Sequence, residues 1–210
     1  FALESAACKI YASEALWQNV NHALQIYGGN GYMREYPFER ILRDARINLI
    51  FEGTNEILRV FISGMALRDM GKGLTPLKFI IKKISAPFRS PKLAKVDKRL
   101  GLYTGGIKAI IRQLEAKALN ALIKHGKNIG DKELVMERIC AVLIDLYGML
   151  AGISRIDSLL KEGHRVDQEL LLLARFYEQT FAKCQDLLNQ LERPGDKTTN
   201  QISDQIVFEQ

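Results

Sequence analysis

The chain has 210 residues with a net charge of +6, 47% hydrophobic and 26% charged, a mix that excludes disorder and suffices for one large or two small cores. Its cysteines, Cys8, Cys140 and Cys184, are odd in number and widely spaced, which argues against a disulfide framework or a zinc knuckle and fits a reducing compartment. No run of about 18 or more apolar residues would span a bilayer, no signal-type segment precedes the first helical pattern, and a start without Met predicts a chain that begins inside a longer protein, with removal of a leader by processing as the other reading.

Residues 1–27 are rich in helix formers, contain no proline and stop at Gly28 and Gly29, which predicts a first helix. After a loop over 28–37, the stretch 38–46 (FERILRDAR) places Glu39 near the start of a short helix. The apolar run 47–51 (INLIF) leads into the turn Glu52-Gly53-Thr54, in which Thr54 can cap the next helix. There Ile57, Val60, Phe61 and Met65 recur at helical spacing until Gly71 and Gly73. Pro76, Pro87 and Pro91 then break 74–104 into a linker with one short helix. Three more helices follow. In the first, Ile107, Ile110, Ile111 and Leu114 share a face ahead of Gly126. The second, 133–160, is so apolar between Ile139 and Ile153 that it belongs at the centre of a bundle. The third, 167–191, stops before Pro194. No strand pattern, repeat or low-complexity tract stands out, so the expected fold is all-α.

Glu52 is the residue of chemical interest. A carboxylate set against INLIF would be desolvated, which disfavours its charged form and raises its pKa toward the range a general base needs. Gly53 removes a side chain where a ligand could approach closely, and Thr54 and Asn55 offer hydrogen-bonding groups at a helix start. By itself the pattern is equally that of a turn glutamate beside a capped helix, since lone carboxylates are usually solvated. His22, His125 and His164 are scattered, with no partner at ligand spacing, so no metal site is expected. Trp17 and the tyrosines form no stacking array for nucleic acid and are assigned to packing.

Residues 14–59 carry three blocks in order, QIYGGNGY, YPFERILRDAR and IFEGTNEILR. In this order and spacing they resemble the carboxy-terminal helical domain of the acyl-CoA dehydrogenase family. The resemblance implies that Glu52 is the base that removes the proton next to the thioester while the β hydrogen leaves as hydride to FAD. It implies that Gly53 lies against the substrate, with the Glu52 backbone amide holding the thioester carbonyl; Phe51, just before the base, reads as a substrate-binding residue lining the acyl cavity or equally as a buried core phenylalanine. Flavin contacts are implied for Thr54, Asn55 and Glu56, and contacts to a neighbouring subunit's flavin for Gln25, Ile26, Tyr27, Gly28 and Gly29, hence a homodimer. Arg40, Arg43, Asp44 and Arg46 alternate charge along a helix and are read as mainly structural, with Asp44 pairing an arginine.

Eight basic residues fall within 77–100 against the single acid Asp97, so this segment carries more than the chain's net positive charge and argues against nucleic-acid binding over the whole surface. Leu77, Ile80, Ile81, Ile84 and Phe88 make an apolar face beside Lys78, Lys82 and Lys83, the pattern of an interfacial membrane helix, with a linker packed on another domain as the other reading. The stretch 133–155 resembles the additional helical domain of the very-long-chain branch, which associates with the mitochondrial inner membrane. The expected organisation is therefore 1–73 as part of the acyl-CoA dehydrogenase helical domain, 74–104 as a basic amphipathic linker and 105–210 as an additional helical domain. The resemblance implies long or very-long-chain acyl-CoA as substrate, electron-transfer flavoprotein as electron acceptor, and a mitochondrial matrix location in a eukaryote or a cytoplasmic one in a bacterium. The alternative is an assembly or scaffold protein for a respiratory complex, since one branch with the same extra domain has that role.

Overall fold

The computed structural model describes residues 1–72 and 93–208, and every described element is helical. The helices are α1 (Ala2–Tyr27), α2 (Phe38–Ile47), α3 (Asn55–Gly71), α4 (Gly101–His125), α5 (Glu133–Lys161), α6 (Asp167–Asn189) and α7 (Asp196–Phe208), with short 3-10 turns at Gly28–Tyr32, Lys98–Leu100 and Gly126–Asp131. The all-α expectation holds among the described residues. The chain divides into two compact units, Phe1–Ile62 and Ser63–Gln210, with the division inside α3.

In the first unit α1 buries Ala6, Ala7, Ile10 and Val20 and packs on α2, where Ala45 is buried, and on the 3-10 turn. Gly28 ends α1 at φ 57, a left-handed backbone that favours glycine. The turn then folds back so closely that a Cβ on Gly31 would meet the Leu24 carbonyl oxygen at 2.9 Å. The Tyr27 ring packs on Tyr36 and Phe38, with centroids 5.6 and 4.3 Å away. On α2 the ion pair joins Arg43 to Glu39 at 2.9 Å, one turn earlier. Arg46 lies over the Trp17 ring at 5.9 Å.

The second unit is built around α5. Ile139, Cys140, Val142, Met149 and Ile153 are all nearly inaccessible. Ile107, Ile110 and Leu119 of α4 and Leu173, Cys184 and Leu188 of α6 are buried as well, and the three helices pack pairwise. This is the expected buried centre. By length and composition α5 would also suit a membrane crossing, but half of its most apolar stretch is buried inside the fold, so core packing accounts for its apolarity.

Two boundaries differ from expectation. α4 begins at Gly101, inside the stretch read as linker, because Asp97 anchors its approach: the backbone N–H of Asp97 donates to Asp157 at 2.8 Å and that of Arg99 to Asp97 at 3.0 Å. The chain also forms α7, unanticipated from its polar sequence. Arg138 starts that helix with two 2.7 Å hydrogen bonds to Asp196 and one of 2.9 Å to the Leu191 carbonyl, while Ile202 and Ile206 stay exposed. The amphipathic pattern of 77–88 lies outside the described residues.

Candidate active site

The turn between α2 and α3 is closed by the Asn55 N–H, which donates to the Leu49 carbonyl at 3.1 Å. Within it Glu52 has φ 58 and is the one described non-glycine residue at positive φ; Gly53 follows at φ 91. An L-residue in the left-handed region costs on the order of 1–2 kcal/mol, and such outliers persist where surrounding contacts over-determine the backbone.

Those contacts come from α1. Lys9 Nζ donates to the Gly53 carbonyl at 2.9 Å and to Asn55 Oδ1 at 2.7 Å. Asn55, only 3% exposed, donates through Nδ2 to Ser13 Oγ at 3.0 Å and to Glu14 Oε1 at 3.3 Å. Arg59, one turn further along α3, closes the cluster on both oxygens of Glu14 at 2.7 and 2.8 Å, a charge-assisted arrangement. Thr54 caps α3 as expected, its hydroxyl accepting from the Ile57 N–H at 3.3 Å. Glu56 accepts from its own backbone N–H and from the Thr54 hydroxyl, which together hold its carboxyl below the ordinary range.

The sequence-derived site residues therefore form two groups. Phe51, Glu52, Gly53, Thr54, Asn55 and Glu56 share the turn. Gln25, Ile26, Tyr27, Gly28 and Gly29 stand at the far end of α1, about 20 Å along the helix from Ser13 at 1.5 Å per residue. The chain does not bring the two groups together. At the far end the surface is open: Ile26 is 83% exposed, and a Cβ on Gly28 or Gly29 would meet nothing within 4 Å. The desolvation expected for Glu52 is not present either. Glu52 is exposed and Phe51 is 49% exposed, because INLIF forms the end of α2 and an outward turn instead of a wall over the carboxylate. Lys9, Ser13 and Glu14 were given no role from sequence. Nothing in their local spacing marks them, because their partners lie 41 to 46 residues away.

Among the described residues no group of three His, Cys, Asp or Glu side chains could hold a metal ion. Burial pushes the Cys184 thiol up to about 12, so it is inert as a nucleophile.

Residues 2–67 match the family described as "Acyl-CoA dehydrogenase, C-terminal domain", and residues 102–210 match "ACAD9/ACADV, C-terminal domain". The chain belongs to the acyl-CoA dehydrogenase family. Among curated acyl-CoA dehydrogenases, the mitochondrial very long-chain specific enzyme of Bos taurus is 36% identical over 195 residues, which cover 82% of this chain and 29% of that protein. A probable acyl-CoA dehydrogenase of Bacillus subtilis is 30% identical over 187 residues, 86% of this chain and 31% of that protein. A crystal structure of an acyl-CoA dehydrogenase complexed with FAD from Bacillus anthracis superimposes with a TM-score of 0.79 at 28% identity, over 96% of this chain and 36% of that one. The chain thus spans about three tenths of the curated acyl-CoA dehydrogenases it matches.

Proposed function

We propose that this chain is the carboxy-terminal part of an FAD-dependent acyl-CoA dehydrogenase that converts long or very-long-chain acyl-CoA to the trans-2-enoyl-CoA, with Glu52 as the base. The observation that carries the reading is the backbone of Glu52. A carboxylate held exposed at φ 58 on a turn tied down from α1 is a strained residue kept for a purpose, which folding alone does not require.

The α C–H of a thioester is a very weak acid, so abstraction needs a carboxylate aligned with it and a polarised carbonyl. Glu52 supplies the carboxylate, and its own backbone N–H is available to the thioester oxygen. Gly53 lets the turn close at φ 91, where a Cβ would meet Leu58 at 3.3 Å, and the exposed ring of Phe51 offers the acyl group an apolar wall. Desolvation of Glu52 is then supplied by the substrate and by the remainder of the parent protein. FAD, when bound, supplies the acceptor for the β hydrogen. The open backbone of Gly28 and Gly29 suits close approach by a phosphate-bearing ligand, and Thr54 and Glu56 lie beside the base for a flavin edge. Asn55 differs, since its side-chain amide is already engaged by α1 and its backbone N–H by the Leu49 carbonyl, so it supports the turn instead of reaching the flavin.

The same reading puts a second copy of the protein against the far end of α1, electron-transfer flavoprotein as the re-oxidant, and membrane contact at 77–99, with a matrix-side inner-membrane location in a eukaryote. In the full-length parent loaded with FAD, Glu52→Gln is expected to retain the flavin and to lose turnover of palmitoyl-CoA by at least about 1,000-fold, the scale of removing an essential base. Undiminished turnover in the Glu52→Gln variant would remove Glu52 from the chemistry, whereas an FAD-loaded parent without any turnover would favour the scaffold alternative.

A further inference from the structure

We propose that Lys9 is a positioning residue for Glu52, setting the direction of the base through the carbonyl of Gly53. This rests on the reading of Glu52 as base. The Ile57 N–H donates to the Thr54 hydroxyl and the Leu58 N–H to the Thr54 carbonyl, so α3 begins without using the Gly53 carbonyl. That oxygen turns toward α1 and is taken by the Lys9 ammonium at 2.9 Å. Glu52 and Gly53 are consecutive residues at positive φ, and relaxing either angle would turn the Glu52 carboxylate relative to the chain that follows it. Lys9 opposes that movement by fixing the chain just after Glu52, since the ammonium that holds the Gly53 carbonyl also holds Asn55 Oδ1 at 2.7 Å.

Asn55 is in turn fixed by Ser13 and Glu14, and Glu14 by Arg59. The ammonium is therefore the link between a rigid helical frame and the strained turn. A lysine used only for surface charge would not direct two of its three donors at one loop. Its loss leaves α1 and α3 joined through Glu14 and Arg59, so the fold survives while the turn loses its anchor.

The test uses the full-length protein loaded with FAD. Lys9→Met keeps the aliphatic stem and removes the donor. It is expected to lower kcat with palmitoyl-CoA by about 10- to 100-fold, the scale of a base displaced by an ångström, with KM and flavin content unchanged. The primary isotope effect from α-deuterated palmitoyl-CoA should rise, because proton abstraction becomes more rate-limiting. Lys9→Arg restores a donor and should recover kcat to within about threefold. Unchanged kcat in Lys9→Met overturns the proposal. So does an equal loss of kcat, flavin and fold in both variants, which would make the residue merely structural. An active Glu52→Gln removes the base reading itself, whereas an inactive Glu52→Gln beside a fully active Lys9→Met removes only the role of Lys9.

Discussion

Asn55 commits both polar atoms of its side chain to α1, accepting from Lys9 and donating to Ser13 and Glu14. Replacing it by leucine keeps the volume and strands those partners. Asn55→Leu is expected to destabilise the chain by about 2–3 kcal/mol, the cost of leaving buried polar groups unpaired, measured by urea unfolding. A change below about 0.5 kcal/mol, the size of an ordinary surface substitution, would show that the network contributes little. At this scale the sequence exposed the proposed base and concealed its support. Glu52 stands out because a glycine, a capping threonine and an apolar run surround it within a few residues. Lys9 looks like any helix lysine until the chain returns to it at Gly53. The backbone angle of Glu52 was equally hidden, since nothing in residue type announces a glutamate at positive φ.

Helix boundaries were legible wherever a local stop signal exists: Gly28 ends α1, Gly126 follows α4, and Thr54 opens α3. They were not legible where a distant partner decides. α4 reaches back to Gly101 because Asp97 is tied to Asp157, and α7 forms behind an Arg138–Asp196 contact between residues 58 apart. The packing of α4 on α6 shows the same dependence. At Gly106 a Cβ would meet the Tyr177 hydroxyl at 1.8 Å and the Phe181 ring at 3.1 Å, and Tyr177 is held between Tyr103 and Phe181 at centroid distances of 5.0 and 5.5 Å. An alanine in a helix ordinarily gains about 1 kcal/mol over glycine, but overpacking here costs about 1–3 kcal/mol. Gly106→Ala is expected to be net destabilising in urea unfolding, with a smaller penalty in a Tyr177→Phe background. If Gly106→Ala stabilised the chain by the usual amount, the close approach of α4 and α6 would be wrong.

Across the second unit the carboxylates are paired for acid sensitivity. The side chain and backbone N–H of Arg99 hold Asp97 at about 2, against an ordinary value near 4. Arg138 lowers Asp196, and Lys124 with His125 lowers Glu192. Each folded pKa lies below its unfolded value, so the stabilisation is complete above the unfolded pKa and is lost as pH falls through the folded one. Thermal melts of the chain are expected to show little carboxylate-dependent change above about pH 5 and a steady fall in Tm from about pH 4 toward 2. A Tm independent of pH over that interval would remove these pairs from the stability of the unit.

The left-handed glutamate joins these scales. Glycine in place of Glu52 would adopt φ 58 freely and asparagine would adopt it more readily than glutamate, so relief of the backbone and retention of the carboxylate pull that position in opposite directions. A search for sequences that best hold this fold would discard the carboxylate proposed as the base, and stability alone is a misleading guide to what position 52 must be.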